Sequence, residues 1–144
     1  MKKAFLAAAA LVLASAAPAV AQNYPLTPGL YSEVTFVNID DGHGLDYANF
    51  LATQWKAEQE FAKAQGWIVG YQILSNVHNR PGEPDLLLIV DYKALPDAAE
   101  IAHRQQVMRD HFKMTDAQMD AGSAERSKYR HIKGGQLWQV LNIK

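Results

Sequence analysis

The chain of 144 residues contains no cysteine. This absence excludes disulfide bonds, thiol catalysis, covalently attached c-type haem and zinc held by cysteine ligands. It also excludes lipid attachment at an N-terminal cysteine after export. The stability of the fold must therefore come from side-chain packing alone.

Several common catalytic motifs are missing as well. The sequence has neither of the glycine-rich phosphate-binding loops, G-x-G-x-x-G and G-x-x-x-x-G-K. No serine lies in a G-x-S-x-G context, and no two histidines form an H-E-x-x-H or H-x-x-x-H pair. These absences argue against nucleotide binding, serine acyl transfer and zinc-protease chemistry.

The first residues have the pattern of a secretory signal peptide. Lys2 and Lys3 precede the apolar stretch 4–14, and Ala19-Val20-Ala21 is a small-x-small cleavage site. We therefore predict a signal peptide at 1–21 and a single domain at 22–144, exported to a bacterial periplasm or secreted, with no membrane anchor. Without Lys2 and Lys3 the domain has 12 basic and 15 acidic residues, a net charge of −3. This charge argues against nucleic-acid binding.

The rest of the chain predicts an α+β domain. β-Branched and aromatic runs predict strands at 30–39, 67–77, 85–92 and 136–143. Helical patterns predict a long helix at 46–65 and a second helix at 96–112. A capping box at Thr115–Gln118 begins an extra helix, which Gly122 and Ser123 are expected to interrupt. The order is βαββαβ, the ferredoxin-like pattern, with an extra helix before the last strand.

The predicted strands are apolar on both faces. In the third strand, Leu86, Leu88 and Val90 alternate with Leu87 and Ile89. Two helices cover one face of a four-stranded sheet, and a monomer does not tolerate a second large apolar face in water. We therefore predict a homodimer through the open sheet face. The sequence does not say which of the two sets faces the partner.

In this element order, size and doubly apolar strand pattern, the chain resembles the dimeric α+β barrel superfamily over residues 30–143. That superfamily contains cofactor-free monooxygenases, chlorite-dismutase-like haem proteins and small proteins without an assigned activity. The resemblance implies a dimeric barrel fold. It rests on architecture, and no catalytic signature of the superfamily is carried over to this chain.

Aromatic side chains concentrate on the long helix and the second strand. A cavity between a helix and a sheet is a common position for a ligand. This pattern predicts a pocket for an apolar or aromatic small molecule, or else only a filled core. The predicted pocket residues are Tyr47, Leu51, Trp55, Trp67 and Tyr71.

Glu58 is the candidate catalytic residue. At about 100° per residue it lies close to the Tyr47, Leu51 and Trp55 stripe of the long helix. A carboxylate in an apolar cavity suits a general acid or base. Alternatively, the buried face is centred on Phe50 and Glu58 lies at the boundary with solvent, paired with a nearby base.

A basic run precedes the last strand, and Arg126 and Arg130 are its candidate anion contacts. The alternatives are cations that suit a helix C-terminus, or an Arg130 paired with an acid of the domain. His43 beside Asp40 and Asp41 is a weak metal pattern, and we predict no metal and no cofactor.

Three functions therefore stay open. The first is binding of an apolar or aromatic small molecule by an exported homodimer. The second is a cofactor-free enzyme of the monooxygenase, isomerase or lyase type that uses Glu58. The third is haem handling through one histidine.

Overall fold

The computed structural model describes residues 24–144, so the predicted signal peptide at 1–21 lies outside the described residues. The strands are β1 (Leu26–Ile39), β2 (Gly70–Ser75), β3 (Leu86–Tyr92) and β4 (Arg130–Ile143). The helices are α1 (Gly44–Phe50), α2 (Lys56–Ala64), α3 (Ala98–Phe112) and α4 (Asp116–Arg126). A π-helical segment, Leu51–Trp55, joins α1 to α2, and the three together are called the long helix.

The strands form one antiparallel sheet in the order β2-β3-β1-β4. Each βαβ unit thus leaves one strand position between its two strands, and the neighbouring unit fills it. This interleaving defines the ferredoxin-like fold. The predicted α+β fold is confirmed, including the extra helix α4 before the last strand.

The sheet has one face that packs against helices. This helix face carries Val37 and Ile39 of β1, Leu88 of β3 and Tyr71 of β2, as the pairing register shows. The long helix contributes Tyr47, Leu51 and Trp55 to the core cluster with Val37 and Leu88. Burial of these large side chains against the sheet is the main source of stability in the described domain.

The other face of the sheet is called the open face. It carries an apolar set that includes side chains 43–58% exposed on the edge strands. The set comprises Val34, Phe36, Leu74, Leu87, Ile89, Trp138 and Val140. The structure thus assigns Leu87 and Ile89 to the open face, and Leu86, Leu88 and Val90 to the helix face.

β1 and β4 extend beyond the other two strands. Each has 14 residues, whereas β2 has six and β3 has seven. The outer ends therefore pair only with each other, from Leu26 opposite Ile143 to Pro28 opposite Leu141. Leu141 and Ile143 are exposed there. An isolated two-stranded ribbon is marginally stable in water, and within residues 24–144 no further strand pairs with this extension.

Two expectations were wrong: the interruption of α4, and the start of the last strand at residue 136. Gly122 and Ser123 do not interrupt α4, which continues to Arg126 behind the confirmed Thr115 capping box. Gly134 and Gly135 lie inside β4, which begins at Arg130. Gly134 has φ +140° beside an irregularity in the β1–β4 register, where glycine is tolerated and the strand pairing continues.

Candidate functional site

The π-helical segment sets the orientation of the side chains on the long helix. Tyr47, Leu51 and Trp55 are 1%, 6% and 9% exposed, and all three point to the sheet. A π-helical turn acts as one inserted residue, which rotates the following residues by about 100° relative to a continuous α-helix. Glu58 follows Trp55 by three residues, mostly in the regular helix α2, which puts it about 60° from Trp55 around the helix, and it is half-buried.

An apolar cleft of about 520 Å³ lies between the long helix and the β2–β3 side of the sheet. Its volume falls within the range of small-molecule sites. The lining residues are Ile39, Gly44, Ala48, Leu51, Ala52, Trp55, Lys56, Tyr71, Ile73 and Leu86. Lys56 is the one charged residue among them, so the walls offer an apolar ligand a nearly continuous apolar surface.

Three of the five predicted pocket residues line this cleft: Leu51, Trp55 and Tyr71. The Trp55 ring meets Tyr71 edge to face, with 5.3 Å between centroids. Tyr47 is instead buried in the core, stacked on Phe50.

Trp67 lies in a separate cluster. Its ring packs against Phe61 at 5.8 Å, and the Arg104 guanidinium lies 5.4 Å from the indole centroid. The aromatic content of the region therefore predicted a cleft, but did not distinguish the cleft wall from neighbouring packing.

Small residues of the helix were missed by the sequence analysis. Gly44, Ala48 and Ala52 recur every four residues and line the cleft opposite Ile73 and Leu86. Because they have little or no side chain, the helix leaves open space beside the sheet. This four-residue spacing is visible in the sequence and is a signal that could have located the cleft.

The mouth of the cleft carries its polar groups. The Tyr71 hydroxyl donates a hydrogen bond to the Glu60 carboxylate. This bond raises the pKa of Tyr71 because it favours the protonated hydroxyl. The polar groups thus lie at the rim, where they would orient a ligand whose apolar part enters the cleft.

Glu58 lines a different groove, of about 540 Å³, between α2, α3 and α4. Its Oε1 accepts a hydrogen bond of 2.9 Å from Gln54 Nε2. The groove combines methionine and phenylalanine with charged groups, and its other lining residues are Gln105, Met108, Arg109, Phe112, Met114, Asp116, Met119 and Asp120. Arg109 Nη1 is 3.0 Å from Asp116 Oδ1. Glu58 therefore has a cavity in front of it, although a more polar one than the cleft.

Arg126 and Arg130 come together beside Tyr47. Arg126 lies over the Phe50 ring, 4.0 Å from its centroid, and Arg130 begins β4 opposite Ile39. Burial raises the pKa of Tyr47, and the charges of Arg130 and Arg126 oppose that rise. The two predicted anion contacts are thus neighbours in space.

His43 and His111 contact acidic or aromatic side chains. His43 Nδ1 is 2.9 Å from Asp46, and its ring stacks on Tyr129. The His111 ring stacks on Phe61 at 3.8 Å between centroids. Within residues 24–144 no three acidic or histidine side chains are grouped so that they could hold a metal ion. No histidine lines either the cleft or the Glu58 groove in this part of the chain.

Comparison with known proteins adds a description of fold. No family model matches the chain, and no curated protein matches it. A solved structure described as a dimeric ferredoxin-like protein from an uncultured marine organism is 16% identical. The alignment covers 82% of this chain and 98% of that chain, with a TM-score of 0.38. Among residues 24–144, no helix has the length and apolar character needed to cross a membrane.

Proposed function

We propose that this protein is an exported homodimer that binds an apolar or aromatic small molecule in the cleft between the long helix and β2–β3. The observation that carries the proposal is a 520 Å³ cleft whose lining is apolar except for Lys56 and the Tyr71 hydroxyl. Burial of apolar ligand surface there is favourable by about 25 cal/mol per Å². Edge-to-face contact with Trp55 and Tyr71 favours an aromatic ligand.

The ligand proposal is tested by filling the cleft. Ala52→Trp places an indole in the cavity, whereas Ala57→Trp adds the same group on an exposed position of α2 that does not line it. The probe is 8-anilinonaphthalene-1-sulfonate, whose fluorescence rises in an apolar site. We expect Ala52→Trp to weaken binding at least tenfold and Ala57→Trp to leave it unchanged. Equal binding by both variants would contradict the proposal.

The dimer is supported by the exposed apolar residues of the open face. Leu74, Trp138 and Val140 are 44%, 58% and 43% exposed there, around the buried Val34 and Ile89. A second copy of the same face would cover this surface with matching side chains. A stable interface of this kind buries more than about 1,000 Å² in total.

Sedimentation equilibrium tests the dimer. We expect twice the mass of the mature chain at micromolar concentration, and a folded monomer for Trp138→Glu. Val77→Glu is the control, because Val77 is an exposed apolar residue in the β2–β3 connection and outside the open face. A wild-type monomer, or dissociation by both variants alike, would contradict the interface.

Export is supported by the N-terminal pattern alone. N-terminal mapping of protein from the producing cell should give Gln22 as the first residue. Retention of Met1 in the mature protein would contradict export.

A cofactor-free enzyme that uses Glu58 is the second candidate. The observation that favours it is the cavity in front of Glu58, which four apolar side chains line: Met108, Phe112, Met114 and Met119. The test is a set of small ketones and phenols in which proton exchange with deuterated water and oxygen uptake are measured. Turnover should be lost in Glu58→Gln and retained in Glu60→Gln. Equal turnover in the two variants would exclude Glu58 as the acid or base.

A further inference from the structure

Arg126 and Arg130 are two neighbouring cations for which residues 24–144 provide no ion-pair partner. Both are half-buried, and neither forms an ion pair with a carboxylate in the described part of the chain. The residues before 24 contain no aspartate or glutamate, so they offer no side-chain carboxylate. The Nε atoms of both arginines are buried, and within residues 24–144 neither has a hydrogen-bond partner.

The acidic side chains around this region have other partners. Asp40 is 2.9 Å from His131, and Asp46 is 2.9 Å from His43. Glu125, next to Arg126 in the chain, is 2.6 Å from Lys128. Two half-buried guanidinium groups therefore lie beside Tyr47, and these three carboxylates contact histidine or lysine side chains instead. Such an arrangement costs free energy because like charges repel and burial removes hydration.

Arg126 contacts an aromatic ring and passes close to a glycine of its own helix. Its guanidinium lies over the Phe50 ring, a contact that is attractive between a cation and an aromatic face. On its other side is Gly122, where a Cβ would come within 3.3 Å of Nη1. Glycine at 122 thus leaves room for the guanidinium to fold back along α4. This also explains why a helix tolerates glycine there at a cost of about 1 kcal/mol.

We propose that Arg126 and Arg130 form a binding site for the oxyanion group of a small molecule, a carboxylate or a phosphate, beside Tyr47. A guanidinium presents parallel N–H donors that match the two oxygens of such a group. The two guanidinium groups together supply enough positive charge to balance one bound anion. The bound anion would relieve the repulsion between the two arginines.

This site is separate from the apolar cleft. Ala48 lines the cleft and Phe50 carries Arg126, and the two residues are about 200° apart around α1. Tyr47 lies between them in the core. Anion binding and filling of the cleft can therefore be tested independently.

Isothermal titration calorimetry of the full mature protein at low ionic strength tests the proposal. Inorganic phosphate and benzoate are the two probes, and they separate a phosphate site from a carboxylate site. We expect wild-type protein to bind at least one of them. Arg126→Gln and Arg130→Gln should each weaken that binding tenfold or more. Lys128→Gln is the matched control, because Lys128 lies on the same segment but is exposed and paired with Glu125.

A second pair of variants covers the case in which an arginine substitution impairs folding. Gly122→Ala keeps both charges and shifts the Arg126 guanidinium only slightly, so it should retain anion binding in a folded protein. Ala52→Trp, which fills the cleft, should leave anion binding unchanged.

Three outcomes would overturn the proposal. The first is that neither probe binds wild-type protein at millimolar concentration. The second is that Lys128→Gln loses as much affinity as the two arginine variants. The third is that Arg126→Gln dissociates the dimer without any anion effect in the wild type. That result would assign the two arginines to an acidic side chain of a second copy of the chain.

Discussion

The two faces of the sheet are built from the same kinds of side chain but have different surroundings. On the helix face, Val37 and Leu88 are buried under Tyr47, Leu51 and Trp55. On the open face, Leu74, Trp138 and Val140 of the edge strands remain about half exposed around the buried Val34 and Ile89. Ile73 and Leu137, on the edge strands of the helix face, are exposed to a similar extent. Apolar composition alone therefore does not make a core. A face becomes a core where a second layer supplies complementary side chains, and the proposed dimer would supply that layer to the open face.

Adjacent residues of β3 give the sharpest test of this difference. Leu88→Glu places a charge in the core without a partner, and we expect it to prevent folding. Leu87→Glu places the same charge on the open face, where it should leave a folded monomer. Circular dichroism and sedimentation measure the two outcomes. Two variants that both fold, or that both fail to fold, would contradict the assignment of the faces.

Trp55, which packs against the helix face, and Trp138, on the open face, give the next largest effect on the free energy of unfolding. Trp55→Ala removes a ring that is 9% exposed and should lower the free energy of unfolding by about 3–5 kcal/mol. Trp138→Ala, at 58% exposed, should change monomer stability by less than about 1 kcal/mol. Urea denaturation at a concentration where both variants are monomers makes the comparison. A larger loss for Trp138→Ala would mean that the open face is packed within one chain.

A smaller effect is expected in the helix layer itself. The Thr115 side chain accepts a hydrogen bond of 3.2 Å from the Gln118 backbone N–H at the start of α4. Thr115→Ala should lower the free energy of unfolding by about 1 kcal/mol, because it leaves an N–H without a partner. Thr53→Ala is the control, since Thr53 bonds its hydroxyl to the Asn49 carbonyl in mid-helix. If Thr115→Ala and Thr53→Ala lose equal stability in thermal denaturation, the capping explanation is contradicted.

The smallest effect is a pH dependence confined to the helix face. Burial, and then the neighbouring Glu33 carboxylate, raise the pKa of Tyr92 well above its usual value of about 10. Above about pH 10 the unfolded chain loses this proton while the folded chain keeps it, so stability falls as pH rises. Tyr92→Phe should reduce that fall, whereas Tyr24→Phe, at an exposed position, should not. If the free energy of unfolding of Tyr92→Phe falls with pH as steeply as that of the wild type, the raised pKa of Tyr92 is contradicted.

The strand pattern of the chain was predictable because residues in a strand alternate between faces with a period of two. Leu87 and Ile89 could be separated from Leu88 and Val90 by that period alone. The extent of β4 was not predictable, because Gly134 and Gly135 look like a break in a sequence. Pairing with β1 carries the strand through them, with an irregularity in the register.

The residues of the candidate sites also differ in how far the sequence pointed to them. Leu51, Trp55 and Tyr71 were predictable as pocket residues from aromatic and apolar content. For Glu58 the sequence left two positions open, an apolar cavity or the boundary with solvent, because the choice depends on packing partners that are distant in the chain. The neighbourhood of Arg126 and Arg130 was visible as a basic run, but the finding that no carboxylate of residues 24–144 pairs with them required side-chain positions.

The sequence by itself determined the order of the elements, the apolar character of both strand faces and the composition of the long helix. These properties follow from local periodicity and residue type, which each segment carries alone. The tertiary structure decided which strand face the helices cover, where the cleft opens, and that Arg126 lies over the Phe50 ring beside Tyr47. These features join residues that are distant in the chain, so they depend on packing between elements and on the geometry of one inserted helical residue.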